Sequence, residues 1–245
     1  MRIVVVGATS EIAQQCCRIW LESDQVSLVL AGRNMEKLSR IANDFRIRFP
    51  SSRIELQAFD HNSVTSIEEF AIEMSQKPID IVLVAHGSLT SQPIANRAPE
   101  YLWQEHKTNA LSPILFAELF AGVLARQGFG SLAVIGSVAG DRGRAINHAY
   151  GAAKAALATY VSGLQQRLAN SPVRVSLIKP GPTKTPMTFD AHVGPSKLAE
   201  PKLVARQIVE GIASGRRIIY SPKYWRAIMF IVRFLPFTIF RLLRF

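Results

Sequence analysis

Tyr150-Gly-Ala-Ala-Lys154 lies thirteen residues beyond Ser137. On a helix, residues four apart stack one turn over each other, so this phenol and ammonium share a face. A neighbouring ammonium favours the phenolate and lowers a tyrosine pKa from its ordinary value near ~10. Such a phenol can pass a proton to a carbonyl oxygen, or take one back in the reverse step. Upstream, the apolar run Leu132-Ala-Val-Ile135, followed by Gly136, predicts a buried strand with Ser137 at its carboxyl end. Open α/β sheets place their chemistry at that end.

The same pattern of buried strand and short turn recurs toward the N-terminus. Residues 2–6 are a β-branched run that enters Gly7-Ala-Thr-Ser-Glu-Ile-Ala13 and then a helix to about residue 22. A glycine turn between strand and helix offers backbone N–H groups and a helix N-terminus to a phosphate. The second strand, 26–31, ends in Gly32-Arg33-Asn34. An acid at this point would take a ribose 2′-hydroxyl, whereas the guanidinium of Arg33 suits a 2′-phosphate. A helix over 34–47, a strand over 54–59 ending at Asp60, an amphipathic helix over 63–75 and a strand over 79–85 ending at His86-Gly87 follow. The pattern over 99–126 is one long helix that contains Asn109, a poor helix former. A helix over 148–169 carries Tyr150 and Lys154. A strand over 173–178 runs into Lys179-Pro-Gly-Pro-Thr-Lys-Thr185, and 186–200, with Gly194 and Pro195, reads as a mobile substrate lid. A helix over 203–212 and a strand over 217–220 complete the alternation. The expected fold is α/β: a Rossmann-type doubly wound parallel sheet in a single domain, 1–220, with a C-terminal amphipathic segment, 221–245.

Over about residues 1–215 this constellation resembles the short-chain dehydrogenase/reductase family. The resemblance implies an oxidoreductase in which Tyr150 exchanges the proton and Ser137 holds the carbonyl oxygen. Lys154 lowers the phenol pKa and holds ribose hydroxyls, and Asn109 distorts its helix and completes a water relay. It implies NADP(H) as cofactor, with Gly7, Thr9, Ser10, Glu11 and Ile12 in the phosphate turn, Arg33 at the 2′-phosphate and Asp60 at the adenine. Ala85, His86 and Gly87 would lie at the ribose, and Pro180, Gly181, Thr183 and Thr185 at the nicotinamide; no metal is implied. The family's Thr-Gly-x-x-x-Gly-x-Gly turn keeps only Gly7, with Val6 in the threonine place and Glu11 and Ala13 in glycine places. Where the family has Asn-Asn-Ala-Gly, this chain has Val84-Ala85-His86-Gly87. Both departures are similar to a sub-branch: the reductase that, with a partner oxidase, epimerises a polyprenyl-phosphoryl ribose to arabinose. His86 reads either as a substrate or ribose contact or as a satisfied turn residue. The small-faced helix of Ala152, Ala153, Ala155, Ala156 and Ala158 commonly forms a subunit interface in the family, which implies a homo-oligomer.

The chain has 245 residues, with 48% apolar and 19% charged, enough for one domain with a substantial core. Adjacent Cys16 and Cys17 have neither disulfide nor metal spacing and read as small core residues in a reducing compartment. No basic stretch followed by an apolar one opens the chain. The net charge of +11 is concentrated late: residues 202–245 hold nine basic side chains and one acid, Glu210. Within 222–245, Lys223, Arg226, Arg233, Arg241 and Arg244 fall in one arc of about 80° if the segment is a continuous helix. Nearly everything else there is apolar, no stretch reaches the ~20 uncharged residues of a spanning helix, and Pro236 should kink it. The segment reads as a helix in a membrane interface, placing the protein in the cytoplasm on the inner face of a membrane. A helix docked on a neighbouring subunit is the other reading. Nucleic acid fits poorly with so long an apolar face.

The functional expectation is an NADP(H)-dependent oxidoreductase that reduces a carbonyl, or oxidises an alcohol, on a hydrophobic or lipid-linked substrate, such as a polyprenyl-phosphoryl keto-sugar. The alternative is a non-catalytic cofactor-binding scaffold or sensor, suggested by the eroded glycine turn.

Overall fold

Alternating strands and helices build one parallel sheet covered on both faces. The computed structural model describes residues 1–23, 25–189 and 198–242. In chain order the elements are β1 (Arg2–Val6), α1 (Glu11–Leu21), β2 (Ser27–Gly32), α2 (Met35–Arg48), β3 (Arg53–Ala58), α3 (Val64–Met74) and β4 (Ile81–Val84). Then come α4 (Gln92–Arg97), α5 (Pro99–His106), α6 (Ser112–Gln127), β5 (Ser131–Ile135), α7 (His148–Arg167) and β6 (Arg174–Pro180). The last are α8 (Pro186–Phe189), α9 (Pro201–Ala213), β7 (Ile218–Ser221), α10 (Trp225–Phe234) and α11 (Phe237–Phe240). The strand order is β3-β2-β1-β4-β5-β6-β7, and every pairing is parallel.

Because strand side chains alternate, each strand feeds two cores. Val4, Val6, Val82, Val84, Leu132 and Val134 pack toward Phe70, Phe116, Phe120 and Leu157 of α3, α6 and α7. Ile3, Val5, Leu28, Leu30, Leu83 and Ala133 pack toward Trp20, Leu38, Phe45 and Ile208 of α1, α2 and α9. Each such side chain contributes about 1.5–3 kcal/mol on full burial. Cys16 and Cys17 are free and buried in the second core. Local signals set the helix ends. Asn34 caps α2 by accepting from Lys37 N, Ser63 caps α3 by accepting from Ser66 N, and Gly128 at φ +84° ends α6.

The chain runs outward through β1, β2 and β3, then returns to place β4 beside β1. That reversal opens a crevice beyond the carboxyl ends of β1 and β4, where such sheets bind ligands. Gly7 follows β1 with φ +82°, and a Cβ there would meet His86 N at 2.5 Å. The two loops therefore close on each other only because residue 7 is glycine.

Two expectations change. The single helix over 99–126 is interrupted by a π-helical turn, Lys107–Leu111, in which Ser112 N bonds Lys107 O. The C-terminal segment is not one helix. α10 ends at Phe234, the following Leu235 has an extended backbone, and α11 restarts after Pro236. The single 80° arc of cations thus does not form, since Arg241 belongs to a separate turn and Lys223 precedes α10; Arg244 lies outside the described residues. The described part of the segment folds back on the domain: Met229 and Val232 of α10 are buried against Val138. Of the 186–200 segment, α8 and residues 198–200 are described; 190–197, including Gly194 and Pro195, lie outside the described residues.

Candidate active site

Ser137 stands two residues past β5 and opens a 3₁₀ turn, Val138–Asp141, with its Oγ accepting from Ala139 N at 3.1 Å. α7 brings Tyr150 and Lys154 beneath this turn. Glycine permits the approach: a Cβ at Gly140 would lie 2.8 Å from Lys154 backbone atoms, and one at Gly151 2.9 Å from Ala139 O. The Ser137 hydroxyl faces the Tyr150 phenol and favours its ionised form. Lys154 Nζ donates to Ile135 O at 3.2 Å and lies 5.8 Å from the Tyr150 ring centroid. The sequence-predicted serine, tyrosine and lysine are thus brought together at the end of β5.

Their electrostatics differ from the expectation. Desolvation pushes the Tyr150 phenol up to about 12, opposed chiefly by the Ser137 hydroxyl. Lys154 is not among the groups that shift the phenol; its ammonium lies over the ring, 5.8 Å from the centroid, and donates to the β5 carbonyl of Ile135. Burial pulls Lys154 itself down to about 8, and the Glu105 carboxylate works against that fall. The phenol is therefore protonated at neutral pH.

Asn109 sits fully buried in the π turn, a distortion that often marks functional sites. Its Oδ1 accepts from Ser88 N at 3.1 Å, while Nδ2 donates to Ser88 O at 3.0 Å and Glu105 Oε1 at 2.9 Å. The carboxamide thereby ties the long helix to the loop after β4. A Cβ on Gly87 would lie 2.8 Å from Asn109 Oδ1 and 3.6 Å from Lys154 Nζ, so asparagine and lysine flank the bare backbone of Gly87. Glu105, buried and also accepting from Thr90 N at 3.2 Å, escaped the sequence reading. Its only sequence signal is its place one turn before Asn109, inside a segment that looks solvent-facing.

At the other end of the crevice, the Ser10 side chain makes no capping bond, which leaves the start of α1 open to an anion. Glu11 begins α1 and accepts from Gln15 Nε2 at 2.8 Å, one turn along the helix; Ile12 is half-buried beside it. Thr9, Arg33, Asn34, Met35 and Lys37 line an open pocket of about 610 Å³. Its two cations, Arg33 and Lys37, suit a phosphate. Asp60, exposed beyond β3, accepts from Asn62 N at 2.9 Å. Ala85 is held by its N–H to Val6 O at 2.8 Å. His86 turns inward: Nε2 meets Ser112 Oγ at 2.9 Å, and the ring packs edge-on against Phe116 and His61. Burial lowers its pKa to about 3, so the half-buried ring is neutral.

At the end of β6, Pro180 leads to Gly181, whose N–H bonds Ser221 O at 2.8 Å. Thr183 is buried with Oγ1 donating to Gly181 O at 2.9 Å. Thr188 braces the loop, donating to Thr183 O and Thr185 O and accepting from Thr185 N. Trp225 of α10 was also missed by the sequence reading. It lies against Gly181, where a Cβ would come within 1.9 Å of Nε1.

Residues 1–193 match the family model described as short chain dehydrogenase. The chain belongs to that family. An uncharacterized oxidoreductase of Mycobacterium tuberculosis is 27% identical over 241 residues, 98% of this chain and 95% of the relative. Ketoacyl reductase HetN of Nostoc is 26% identical over 217 residues, 86% of this chain and 74% of its own. Among solved structures, the short-chain dehydrogenase from Sphingobium yanoikuyae in complex with NADPH superposes with TM-score 0.81 at 20% identity. That match covers 93% of this chain and 91% of that one.

Proposed function

We propose that this short-chain oxidoreductase uses NADP(H) to reduce a carbonyl on a hydrophobic or lipid-linked substrate. The observation that carries the reading is the half-buried Tyr150 phenol, facing the Ser137 hydroxyl and one helical turn from Lys154, at the carboxyl end of β5. Tyr150 hands its proton to the carbonyl oxygen, and the Ser137 hydroxyl orients that oxygen. Lys154, cationic below its pKa of about 8, stands one helical turn from the phenol, where it would hold the ribose hydroxyls of the bound cofactor. Asn109 and Glu105 hold the lysine side of the site in place. When bound, the reduced nicotinamide supplies the hydride.

NADP(H) rather than NAD(H) is supported by the pocket of Thr9, Arg33 and Lys37 and by the lack of an acid at the end of β2. The NADPH in the Sphingobium structure and the activity in the name of the Nostoc relative agree with the reading. A polyprenyl-phosphoryl keto-sugar is the most specific substrate that the sub-branch resemblance suggests. A homo-oligomer would use the exposed small face of α7, Ala152 and Ala156.

The test is NADPH oxidation with a panel of detergent-dispersed ketones: keto-acyl chains, polycyclic ketones and polyprenyl-phosphoryl keto-sugars. Tyr150→Phe should lose about 10²–10⁴-fold in turnover while still binding NADPH. Tight NADPH binding with no turnover of any ketone would make the protein a cofactor-binding scaffold instead.

A further inference from the structure

α10 has two apolar faces, and the fold uses one. Met229 and Val232 point inward with half-buried Trp225 and pack on Val138, the residue after Ser137. Trp225 closes over Gly181. Arg142, from the same serine-bearing loop, ties the end of the helix. Its Nη1 donates to Val232 O and to Leu235 O, the latter at 2.6 Å, and its guanidinium lies 3.8 Å from the Phe240 ring centroid. The inner face is therefore a wall of the catalytic cleft.

The outer face is bare. Phe230 is 67% exposed, Ile231 60% and Phe234 72%; beyond the break, Phe237 is 72% and Leu242 73% exposed. These side chains follow one another along a short segment, whereas isolated exposed apolar residues are ordinary on soluble surfaces. Arg226, Arg233 and Arg241 are exposed beside them. No acid occurs after Glu210. That charge pattern selects among occupants. A two-fold contact between two copies would set this patch against itself and bring arginines together with no carboxylate of the segment to pair them. Nucleic acid would leave the phenylalanines in water. An interface of acyl chains below anionic headgroups accepts both the apolar side chains and the cations.

We propose that Phe230, Ile231, Phe234, Phe237 and Leu242, with Arg226, Arg233 and Arg241, form a docking surface for an anionic lipid bilayer, and that docking turns the carbonyl cleft toward that bilayer. The second half rests on the carbonyl-reductase reading; the first does not. Because one helix forms both the cleft wall and the lipid-facing surface, a membrane-borne ketone reaches Tyr150 without crossing bulk water.

Sedimentation with phosphatidylcholine vesicles, with and without phosphatidylglycerol, tests the first half on the full chain. The protein should pellet with the anionic vesicles and be released by high salt. The outer-face variant Phe230→Ser/Phe234→Ser/Phe237→Ser should keep the wild-type melting temperature and bind at least about tenfold more weakly, since each ring withdrawn forfeits apolar burial. Arg226→Gln/Arg233→Gln/Arg241→Gln should lose the preference for phosphatidylglycerol. Wild-type protein remaining in the supernatant, or a serine variant that pellets as before, overturns the docking surface. So does a serine variant whose only change is a smaller particle by light scattering, because a second copy then covers the face. For the second half, the serine variant should reduce a water-soluble ketone at the wild-type rate and a vesicle-borne one more slowly; equal loss on both overturns it. If wild-type protein reduces no ketone, the carbonyl-reductase reading and the second half fall, and sedimentation alone still decides the first.

Discussion

The two ends of the crevice depart from the family pattern to different degrees. At the β1–β4 end, glycine and asparagine places are taken by Glu11, Ala13, Val84 and Ala85, and an alanine place by His86, yet the loops still meet at Gly7. At the β5–α7 end, the serine, tyrosine and lysine are all present and in contact range. The difference reflects which atoms act. A dinucleotide phosphate is held by backbone N–H groups and a helix terminus, so side chains there matter mainly by staying out of the way. Glu11 does so by bonding Gln15, and His86 by turning toward Ser112. Proton transfer needs one particular functional group at one place, and no neighbour can stand in for it.

This contrast can be broken first at Gly7. Gly7→Ala puts a Cβ against His86 N in a left-handed backbone, and should cost about 2–4 kcal/mol in urea unfolding; a loss under half a kcal/mol would show that the loops at the β1–β4 end are adaptable rather than tightly closed. Next, Arg33→Asp should weaken NADPH binding by about 10–100-fold and NADH binding little, read by fluorescence titration. Equal losses would remove Arg33 from the 2′-phosphate. The finest test falls on the catalytic end. Glu105 raises Lys154, whose pKa burial lowers to about 8. Glu105→Gln removes that support, so the ammonium is lost at a lower pH. Because Glu105 also raises Tyr150, both effects act in one direction. The alkaline limb of kcat/KM for reduction should move down by about one pH unit, alongside a modest fall in melting temperature, since glutamine offers one acceptor oxygen where Asn109 Nδ2 and Thr90 N each donate to Glu105. An unmoved limb would leave Glu105 a purely structural partner of Asn109.

Much of the site was legible because its signals are local. The i, i+4 pair Tyr150 and Lys154, the apolar run before Ser137 and the glycine turns follow from spacing along the chain. Asn109 stood out as a poor helix former, and the π turn is where that tension is expressed. Glu105 did not stand out, because Glu100, Gln104, His106 and Lys107 around it make its segment look exposed, and only the loop carrying Thr90 buries it. Trp225 and Arg142 were illegible for another reason: their partners lie about forty and ninety residues away in sequence.

Composition and periodicity alone determined that this chain folds as a doubly wound α/β sheet, that it carries a tyrosine–lysine–serine constellation, and that its C-terminus is basic and apolar. These are properties of near neighbours, set by side-chain alternation and helical pitch. Only the tertiary structure decided that the C-terminal segment breaks at Pro236 and forms a wall of the cleft, that the phenol is raised rather than lowered, and that a buried carboxylate supports the lysine. Burial and long-range contact set those features, and both arise only after distant parts of the chain have met.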